Sequence, residues 1–209
     1  MILGITGGSG SGKSTLLQLL KDAGAFILDC DAIYHGLLQT DKAMLSAIES
    51  RFPGVMADGK LDRKKLGSIV FADPAALRDL NRITHSAVKD EVIRQLATVT
   101  FPGECLQGFQ GADQSVFCKH CAIDAIGLFE GGLAQLCDCT VAITAPLEQR
   151  VQRLMVRDGI SAAYARSRIA AQPTDAEFSA RCDYTLDNNG TKEDFQTKCL
   201  AFLREIGII

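Results

Sequence analysis

The sequence predicts an α/β protein in which helices cover both faces of a five-stranded parallel sheet. Five short apolar runs have the length and the β-branched content of buried strands, and longer stretches with helical spacing lie between most of them. Strands that alternate with helices are typical of a parallel sheet, because each crossover helix covers one face. The predicted strands are residues 2–6, 25–28, 122–126, 140–144 and 184–186.

The predicted helices follow from the spacing of apolar residues and from residues that start or stop a helix. Residues 13–23 are rich in leucine and end at Gly24, a common helix stop. A long helix begins at Pro74, because proline is favoured in the first helical turn. Another begins at Pro146. The last, residues 191–206, has an apolar face formed by Phe195, Cys199, Phe202 and Ile206.

The stretch between the second and third strands differs from the rest of the chain. Residues 32–99 are helical in pattern almost throughout and lack a convincing strand, which predicts a helical lobe inserted after the second strand. Residues 100–115 are glycine-rich and aperiodic, which predicts a loop. The chain of 209 residues is therefore expected to form one domain. Its parts are a core of residues 1–31, 116–145 and 184–209, the lobe at 32–99 and a helical lid at 146–172.

Composition and charge argue against several classes of protein. The net charge is −3 and no run of like charges occurs, unlike in nucleic-acid or membrane-surface proteins. No window of about 18 apolar residues predicts a transmembrane helix, and the first residues lack the basic segment of a signal peptide. We therefore expect a cytoplasmic protein with reduced cysteines, either monomeric or a small homo-oligomer.

Cys118 and Cys121 have the C-x-x-C spacing of zinc ligands. Cys121 also begins an apolar, strand-like run, in which a free cysteine behaves as a small hydrophobic residue. A second well-spaced pair of the same kind is missing from the sequence. The pattern therefore favours buried thiols over a metal site.

Residues 4–15, GITGGSGSGKST, contain the pattern G-x-x-x-x-G-K-[ST] of a phosphate-binding P-loop. The motif follows a predicted strand and opens a predicted helix, as its mechanism requires. Glycines allow consecutive backbone N–H groups to surround a phosphate, and the helix N-terminus adds a partial positive charge. Lys13 is expected to reach the β- and γ-phosphates, and Ser14 is expected to bind Mg²⁺. The residues predicted to bind the nucleoside triphosphate are Gly8, Gly10, Ser11, Gly12, Lys13, Ser14 and Thr15.

Two fragments match motifs of a GTPase switch. Asp124 and Gly127 form D-x-x-G at a strand end, and residues 191–194 match [NT]KxD. However, residues 187–190 separate the second fragment from its strand, and the first lies late in the chain for a compact switch. Thr191 is better explained as a helix N-cap with an acidic residue three positions later. A GTPase is therefore the alternative to an enzyme of the kinase class.

A kinase needs a carboxylate that accepts the proton of the acceptor hydroxyl and cations that balance charge in the transition state. Asp29 and Asp31, in the run Asp-Cys-Asp, are predicted to end the second strand, at the carboxyl edge where α/β sheets bind ligands. Arginines follow Pro146 at helical spacing and continue beyond Gly159, which predicts a helix–turn–helix that closes as a lid. These arginines are Arg150, Arg153, Arg157, Arg166 and Arg168.

At these residues the sequence resembles the dephospho-coenzyme A kinase family. The likeness runs along nearly the whole chain, and the order and spacing of its motifs make it specific. The motifs are G-I-T-G-G-x-G-S-G-K-S-T (4–15), D-x-D (29–31), D-G-x-L-D-R (58–63), I-V-F (69–71), N-x-I-T-H (81–85), L-F-E (128–130), R-L-M-x-R-D-G-I-S (153–161), R-I-A-A-Q (168–172) and D-N-N-G (187–190).

The resemblance implies an enzyme that uses ATP and Mg²⁺ to phosphorylate the ribose 3′-hydroxyl of dephospho-coenzyme A, the last step of coenzyme A synthesis. It implies that Asp31 is the general base. Lys13 and Arg157 would stabilise charge on the transferred phosphoryl group, and Ser14 would hold the Mg²⁺. Asn188 matches the asparagine near the adenine of ATP.

The resemblance also implies an acceptor site, because Arg63, His85 and Glu130 match family positions near the acceptor and the cleft. The lobe at 32–99 would receive the coenzyme A moiety. Another small-metabolite kinase, acting on a nucleoside monophosphate or a sugar, is the alternative within this class.

Three positions depart from the family pattern without removing a functional group. The family commonly has proline where Ser86 and Ile126 stand, and it often has isoleucine at Ser9. The loss of a proline relaxes a turn, and position 9 is expected to contribute its backbone, so activity is expected to be retained. Residues 100–119 have no clear counterpart in the family pattern.

Overall fold

The computed structural model describes residues 1–57, 60–70, 72–100 and 116–209. Apart from Thr100, the loop predicted at 100–115 therefore lies outside the described residues. Asp58 and Gly59 of the D-G-x-L-D-R motif and Phe71 of the I-V-F motif lie outside them as well.

The described chain contains long and short strands, and helical segments separate the longer ones. The strands are β1 (Ile2–Thr6), β2 (Phe26–Asp29), β3 (Met56–Ala57), β4 (Lys60–Leu61), β5 (Val99–Thr100), β6 (Val116–Phe117), β7 (Cys121–Asp124), β8 (Cys139–Thr144) and β9 (Tyr184–Asp187). The helices are α1 (Lys13–Asp22), α2 (Cys30–Thr40), α3 (Lys42–Arg51), α4 (Arg63–Val70), α5 (Pro74–Leu96), α6 (Leu147–Asp158), α7 (Ala162–Ala170), α8 (Asp175–Arg181) and α9 (Lys192–Glu205).

Five strands form a fully parallel sheet in the order β2-β7-β1-β8-β9, which confirms the predicted α/β fold. β7 ends at Asp124, two residues earlier than predicted, because Ile126 has left the ladder and its carbonyl accepts a hydrogen bond from the Thr6 hydroxyl. The carboxyl ends of β1, β2 and β7 lie side by side. This edge of the sheet is where ligands bind in open α/β folds.

Helices cover both faces of the sheet, and each face has an apolar core. On one face, α1 and α9 pack onto the sheet through a cluster that includes Leu16 and Phe195. On the other face, α5 packs onto β2 and β7 through a cluster that includes Val92 and Ile123. Each fully buried side chain of this size contributes about 1.5–3 kcal/mol. These two cores hold α1 and α5, and with them the residues at their ends, in fixed positions against the sheet.

Helices α2 to α5 lie in the segment predicted to be a helical lobe. α3, α4 and α5 pack around a core of their own that includes Ile48, Phe52 and Leu66. β3 and β4 form a short antiparallel hairpin within this segment, and β5 pairs in parallel with β6. The prediction of no strand in residues 32–99 was therefore wrong. Strands of two residues are too short to show an alternating pattern.

Helices α6 and α7, called the lid helices below, pack together through Val151, Leu154, Ala165 and Ile169. Gly159 ends α6 at a positive φ of 65°, and the Ser161 hydroxyl caps α7 by accepting from the Tyr164 N–H group. Helix α8, which the sequence analysis did not predict, begins with a capping box between Thr174 and Glu177.

The cysteines of the C-x-x-C pair lie just before and at the start of β7. Cys118 and Cys121 are buried, and their Sγ atoms lie 3.7 Å apart. Burial raises the pKa of the Cys121 thiol. Across the described ranges, no group of three or more His, Cys, Asp or Glu side chains is arranged to hold a metal ion. None of the helices in these ranges is long and apolar enough to cross a membrane.

Candidate active site

The loop between β1 and α1 presents backbone N–H groups that are available to an anion. In the described part of the chain, the amides of Gly10, Gly12, Lys13 and Ser14 make no hydrogen bond to the protein. Gly12 has a φ of 107°, a conformation that only glycine adopts readily. A Cβ atom at this position would also lie 2.2 Å from Nδ2 of Asn188. The loop therefore has the open amides of a phosphate cradle, at a helix N-terminus.

Two arginines of α6 donate hydrogen bonds to carbonyl groups of this loop. Arg150 Nε donates to the Ser9 carbonyl at 3.0 Å, and Arg153 Nη1 donates to the Ser11 carbonyl at 3.2 Å. The C=O and N–H groups of a trans peptide point in opposite directions. Each contact therefore turns the next N–H group of the loop away from the arginines.

Arg150 was predicted to be a lid arginine, and its position is different. Its side chain is 5% exposed, and Nη1 donates to Asp175 Oδ1 at 2.9 Å. Its guanidinium lies so close to Gly8 that a Cβ atom there would approach Nη2 to 1.9 Å. Arg150 therefore supports the P-loop and lies outside the wall of the main cavity.

Asn188, predicted to lie near adenine, is buried behind the P-loop and outside the wall of the main cavity. Its Nδ2 atom donates to the Ser11 carbonyl at 2.7 Å, and its Oδ1 atom accepts from Arg153 Nη2 at 3.3 Å. The residue follows β9, and its N–H group donates to the Thr144 carbonyl. A contact of Asn188 with adenine remains a prediction.

A cavity of about 790 Å³ opens in front of the P-loop at the carboxyl edge of the sheet. Its volume is typical of a site for a small molecule. Thr15 does not line it, and its N–H group instead donates to the Gly12 carbonyl at 3.0 Å. The predicted nucleotide-binding residues that do line it are Gly8, Gly10, Ser11, Gly12, Lys13 and Ser14. Other elements contribute Asp29, Asp31, Asp124, Arg157, Arg168 and Gln172.

The ammonium group of Lys13 lies among carboxylates in this cavity. Its Nζ atom donates to the Gly7 carbonyl at 2.8 Å. Burial lowers the pKa of Lys13, and the nearby charges of Asp124 and Asp31 oppose that effect. Burial also raises the pKa of Asp124 from 3.8 to about 6, although Lys13 acts in the opposite direction. Oδ1 of Asp124 is buried and has no hydrogen-bond partner within the described residues.

The raised pKa of Asp124 predicts how the stability of an Asp124→Asn variant should compare with that of the wild type. Between about pH 4 and pH 6, folded protein keeps a proton on Asp124 that the unfolded chain has lost. This group therefore makes the free energy of unfolding fall as the pH rises. Asparagine does not titrate, so the variant should gain up to about 3 kcal/mol relative to the wild type across this window. Urea unfolding without nucleotide at about pH 4 and pH 7.5 measures the difference, and a difference that stays constant would contradict the raised pKa.

Asp31 lies in the first turn of α2, not at the end of β2 as predicted. β2 ends at Asp29, whose side chain caps α2 by accepting from the Ala32 N–H group at 2.9 Å. Because Asp29 performs the capping, Asp31 is not needed for it. The Asp31 side chain is exposed at the cavity.

A second cavity of about 250 Å³ lies between α2, α5 and the segment after β7. Its wall includes Tyr34 and His85. Three residues line both this cavity and the main one: Asp31, Ala125 and Ile126. Two molecules bound in the two cavities would therefore meet beside the Asp31 carboxylate.

Glu130 and Arg63, the other residues predicted near an acceptor, lie outside the wall of the second cavity. Glu130 forms an ion pair with Arg181, whose guanidinium lies 4.3 Å from the ring centre of Phe129. Arg63 is exposed at the start of α4. Burial raises the pKa of Tyr34 and the charge of Arg63 opposes this, so Arg63 acts on the second cavity electrostatically.

Arg153, Arg157 and Arg168 of the lid helices line the main cavity, and the last two share one carboxylate. Arg157 Nε donates to Asp158 Oδ1 at 2.6 Å, and Arg168 Nη1 donates to Asp158 Oδ2 at 2.8 Å. Arg166 instead pairs with Glu148 and lies outside the cavity wall. Only part of the predicted arginine lid therefore faces the site.

Comparison with known proteins agrees with this arrangement of a phosphate cradle beside a carboxylate and arginines. The family model described as dephospho-CoA kinase (CoaE) matches residues 1–194. The chain belongs to the dephospho-CoA kinase family. The resemblance found in the sequence is thereby confirmed, and the protein is a kinase that phosphorylates a hydroxyl group with ATP as donor. Residues 191–194, which matched a GTPase motif, form the capping box that starts α9.

Curated dephospho-CoA kinases match nearly the whole chain. The one from Anaeromyxobacter dehalogenans is 35% identical over 207 residues and covers 98% of this chain and 92% of its own. The one from Deinococcus radiodurans is 35% identical over 207 residues, with 99% and 92% covered. Among solved structures, TT1252 from Thermus thermophilus has a TM-score of 0.75 at 32% identity, with 99% and 97% covered. The dephospho-CoA kinase from Campylobacter jejuni, with a TM-score of 0.62 at 24% identity and 98% and 96% covered, supports the fold alone.

Three residues that the structure places at the P-loop or the main cavity were not assigned there from the sequence. Asp124 was considered only as part of a switch motif, although a carboxylate at the end of a buried parallel strand was a usable signal. Arg150 and Gln172 contact Ser9 of the P-loop, which lies more than a hundred residues away from each of them in the chain. No local pattern reveals such contacts.

Proposed function

We propose that this chain transfers the γ-phosphoryl group of ATP to the ribose 3′-hydroxyl of dephospho-CoA, the last step of coenzyme A synthesis. The observation that carries the proposal is that Asp31 lines both the main cavity and the second cavity. A carboxylate in that position can meet an acceptor hydroxyl on one side and a phosphoryl donor on the other. Membership of the dephospho-CoA kinase family supports the choice of acceptor.

The main cavity is proposed to bind ATP. The open amides of Gly10, Gly12, Lys13 and Ser14 would surround the β-phosphate, and the Lys13 ammonium would reach the β- and γ-phosphates. A buried ammonium interacts more strongly with a phosphate than an exposed one, because the surroundings screen charge less. Thr15 follows the cradle within α1. Asn188 would bind the adenine of ATP, or would act on the nucleotide through the P-loop, whose Ser11 carbonyl it holds.

The oxygen donors beside Lys13 suit a Mg²⁺ ion. Oδ1 of Asp124 is buried without a partner in the described ranges, and Ser14 lines the same cavity. Mg²⁺ is usually held by one or two carboxylates together with phosphate oxygens and waters, so it needs no cluster of three protein ligands. We therefore assign Ser14 and Asp124 to the ion, which would neutralise part of the phosphate charge.

Asp31 is proposed to accept the proton of the 3′-hydroxyl as the hydroxyl oxygen attacks the γ-phosphorus. The bond between this phosphorus and the bridging oxygen of ADP then breaks, and ADP leaves with the electron pair. Lys13 and Arg157 would stabilise the negative charge that is shared during transfer. Asp158 holds the guanidinium of Arg157 in place through two hydrogen bonds, at 2.6 and 3.0 Å.

The second cavity is proposed to receive the nucleoside part of the acceptor, between Tyr34 and His85. An adjoining groove shares His85 with this cavity and is lined by Arg78 and Arg82, whose charges complement the diphosphate of dephospho-CoA. Glu130 also lines the groove, but its pairing with Arg181 offsets its charge. Arg63 would act on the acceptor through its charge, which also opposes the raised pKa of Tyr34.

A panel of acceptors tests the proposal. The purified protein is incubated with ATP and Mg²⁺ together with dephospho-CoA, a nucleoside monophosphate, a sugar or no acceptor, and the products are identified by mass spectrometry. We expect coenzyme A and ADP to form in equal amounts, and only with dephospho-CoA. Protein without Mg²⁺ and protein carrying Asp31→Asn serve as controls. Turnover confined to nucleoside monophosphates or sugars would exclude the proposed acceptor.

A further inference from the structure

The side chain of Gln172, in the turn after α7, makes two hydrogen bonds to Ser9 at the tip of the P-loop. Its Oε1 atom accepts from the backbone N–H group of Ser9 at 2.8 Å, and its Nε2 atom donates to Ser9 Oγ at 2.8 Å. Ser9 is only 7% exposed. The two ends of one carboxamide are thus engaged by a single buried residue.

Every polar group of Ser9 contacts residues 150–172. Gln172 binds its N–H and hydroxyl groups, and Arg150 Nε donates to its carbonyl at 3.0 Å. Arg150 is in turn fixed by its ion pair with Asp175. Since Arg150 belongs to α6 and Gln172 follows α7, both lid helices hold the same residue of the P-loop.

The contact with Gln172 leaves room for a nucleotide. In the described part of the loop, the amides of Gly10, Gly12, Lys13 and Ser14, all later in the chain than Ser9, have no protein partner, whereas the amide of Ser9 is already bonded. Phosphate oxygens can therefore bind the four later amides while Gln172 keeps its hold on Ser9. The pair is compatible with the loaded state and does not compete with it.

We propose that Gln172 is a positioning residue for the nucleotide. It holds the tip of the P-loop at the place from which the following amides converge on the phosphates. It also ties this tip to the lid helices, which carry Arg157 and Arg168 into the same cavity. The inference rests on the proposed function only for the identity of the nucleotide as ATP.

The test replaces Gln172 by methionine, which keeps the length of the side chain and removes both hydrogen bonds. We expect Gln172→Met to weaken ATP binding about 10-fold, and Ser9→Ala, which removes only the hydroxyl contact, to weaken it about 3-fold. The double variant should bind ATP no worse than Gln172→Met alone. The hydroxyl contact is already absent in Gln172→Met, so Ser9→Ala removes nothing further. Gln39→Met, at an exposed position outside both cavities, controls for the substitution itself.

ATP affinity is measured by calorimetry without any acceptor, and KM for ATP, KM for dephospho-CoA, kcat and Tm are measured alongside. A rise in KM for ATP with unchanged Tm and unchanged KM for dephospho-CoA supports positioning. Wild-type ATP affinity in Gln172→Met overturns the inference. So does a loss that falls equally on both substrates and lowers Tm, because that pattern indicates a role in folding alone. If dephospho-CoA proves to be the wrong acceptor, the effect on ATP binding remains measurable, so the two failures are distinguishable.

Discussion

Asp31→Asn is expected to lower kcat by about 10²–10⁴-fold while the affinity for ATP stays within about twofold of the wild-type value. Asparagine keeps the size and polarity of the side chain but cannot accept the proton of the acceptor hydroxyl. The fold is not expected to change, because Asp29 and not Asp31 caps α2. Initial rates with dephospho-CoA give kcat, and calorimetric titration gives the affinity for ATP.

Asp29→Asn is the matched control for this experiment. Asp29 lines the same main cavity and carries the same charge, but it does not line the second cavity. Asparagine is also a good helix N-cap, so α2 should remain intact. We expect Asp29→Asn to lower kcat by less than about tenfold. If Asp31→Asn turned over at nearly the wild-type rate, or if Asp29→Asn lost as much activity, the assignment of the general base would be wrong.

Lys13→Met is expected to lower kcat by about 10²–10³-fold or more and to weaken ATP binding as well. Methionine fills the space of the lysine stem but supplies no positive charge for the β- and γ-phosphates. The variant also removes the cation that faces Asp124 and Asp31, so the pKa of Asp124 should rise further. The charge of Asp31 would then lack its facing ammonium and would oppose the binding of a triphosphate.

Kinetics and ATP titrations of Lys13→Met are compared with those of Lys21→Met. Lys21 is an exposed lysine in the last turn of the same helix and lines neither cavity, so its loss should leave both quantities unchanged. Retention of more than about a tenth of wild-type kcat by Lys13→Met would show that another group stabilises the transferred phosphoryl charge.

The sheet and its flanking helices could be predicted because their apolar patterns are long enough to show a period. The five strands and helices such as α1 and α9 follow this rule. Helix α8 was missed because it has seven residues and buries only Phe178 among them. The hairpin of β3 and β4 was missed because each of its strands has two residues. Short elements are determined by the structure that surrounds them more than by their own sequence.

The site could be predicted where one segment of chain contains the whole chemical unit. The P-loop is such a segment: residues 8–14 line the main cavity, whereas Thr15 does not. The role of Arg150 was not predictable, because the spacing that placed it on a helix face does not say that its partners are Ser9 and Asp175. Likewise, nothing near Ser9 in the sequence points to Gln172. Contacts between distant segments need the fold before they can be seen.

The contacts that surround the P-loop have a consequence for the entropy of nucleotide binding. Arg150, Arg153, Gln172 and Asn188 restrain the backbone of this loop from within the protein. Restraining the backbone of a residue costs about 1–2 kcal/mol of conformational entropy at room temperature. Here that entropy is lost when the chain folds, so it does not have to be lost again when ATP binds. A tightly ordered loop rich in glycine thus lowers the stability of the fold and raises the affinity for the nucleotide by the same restraint.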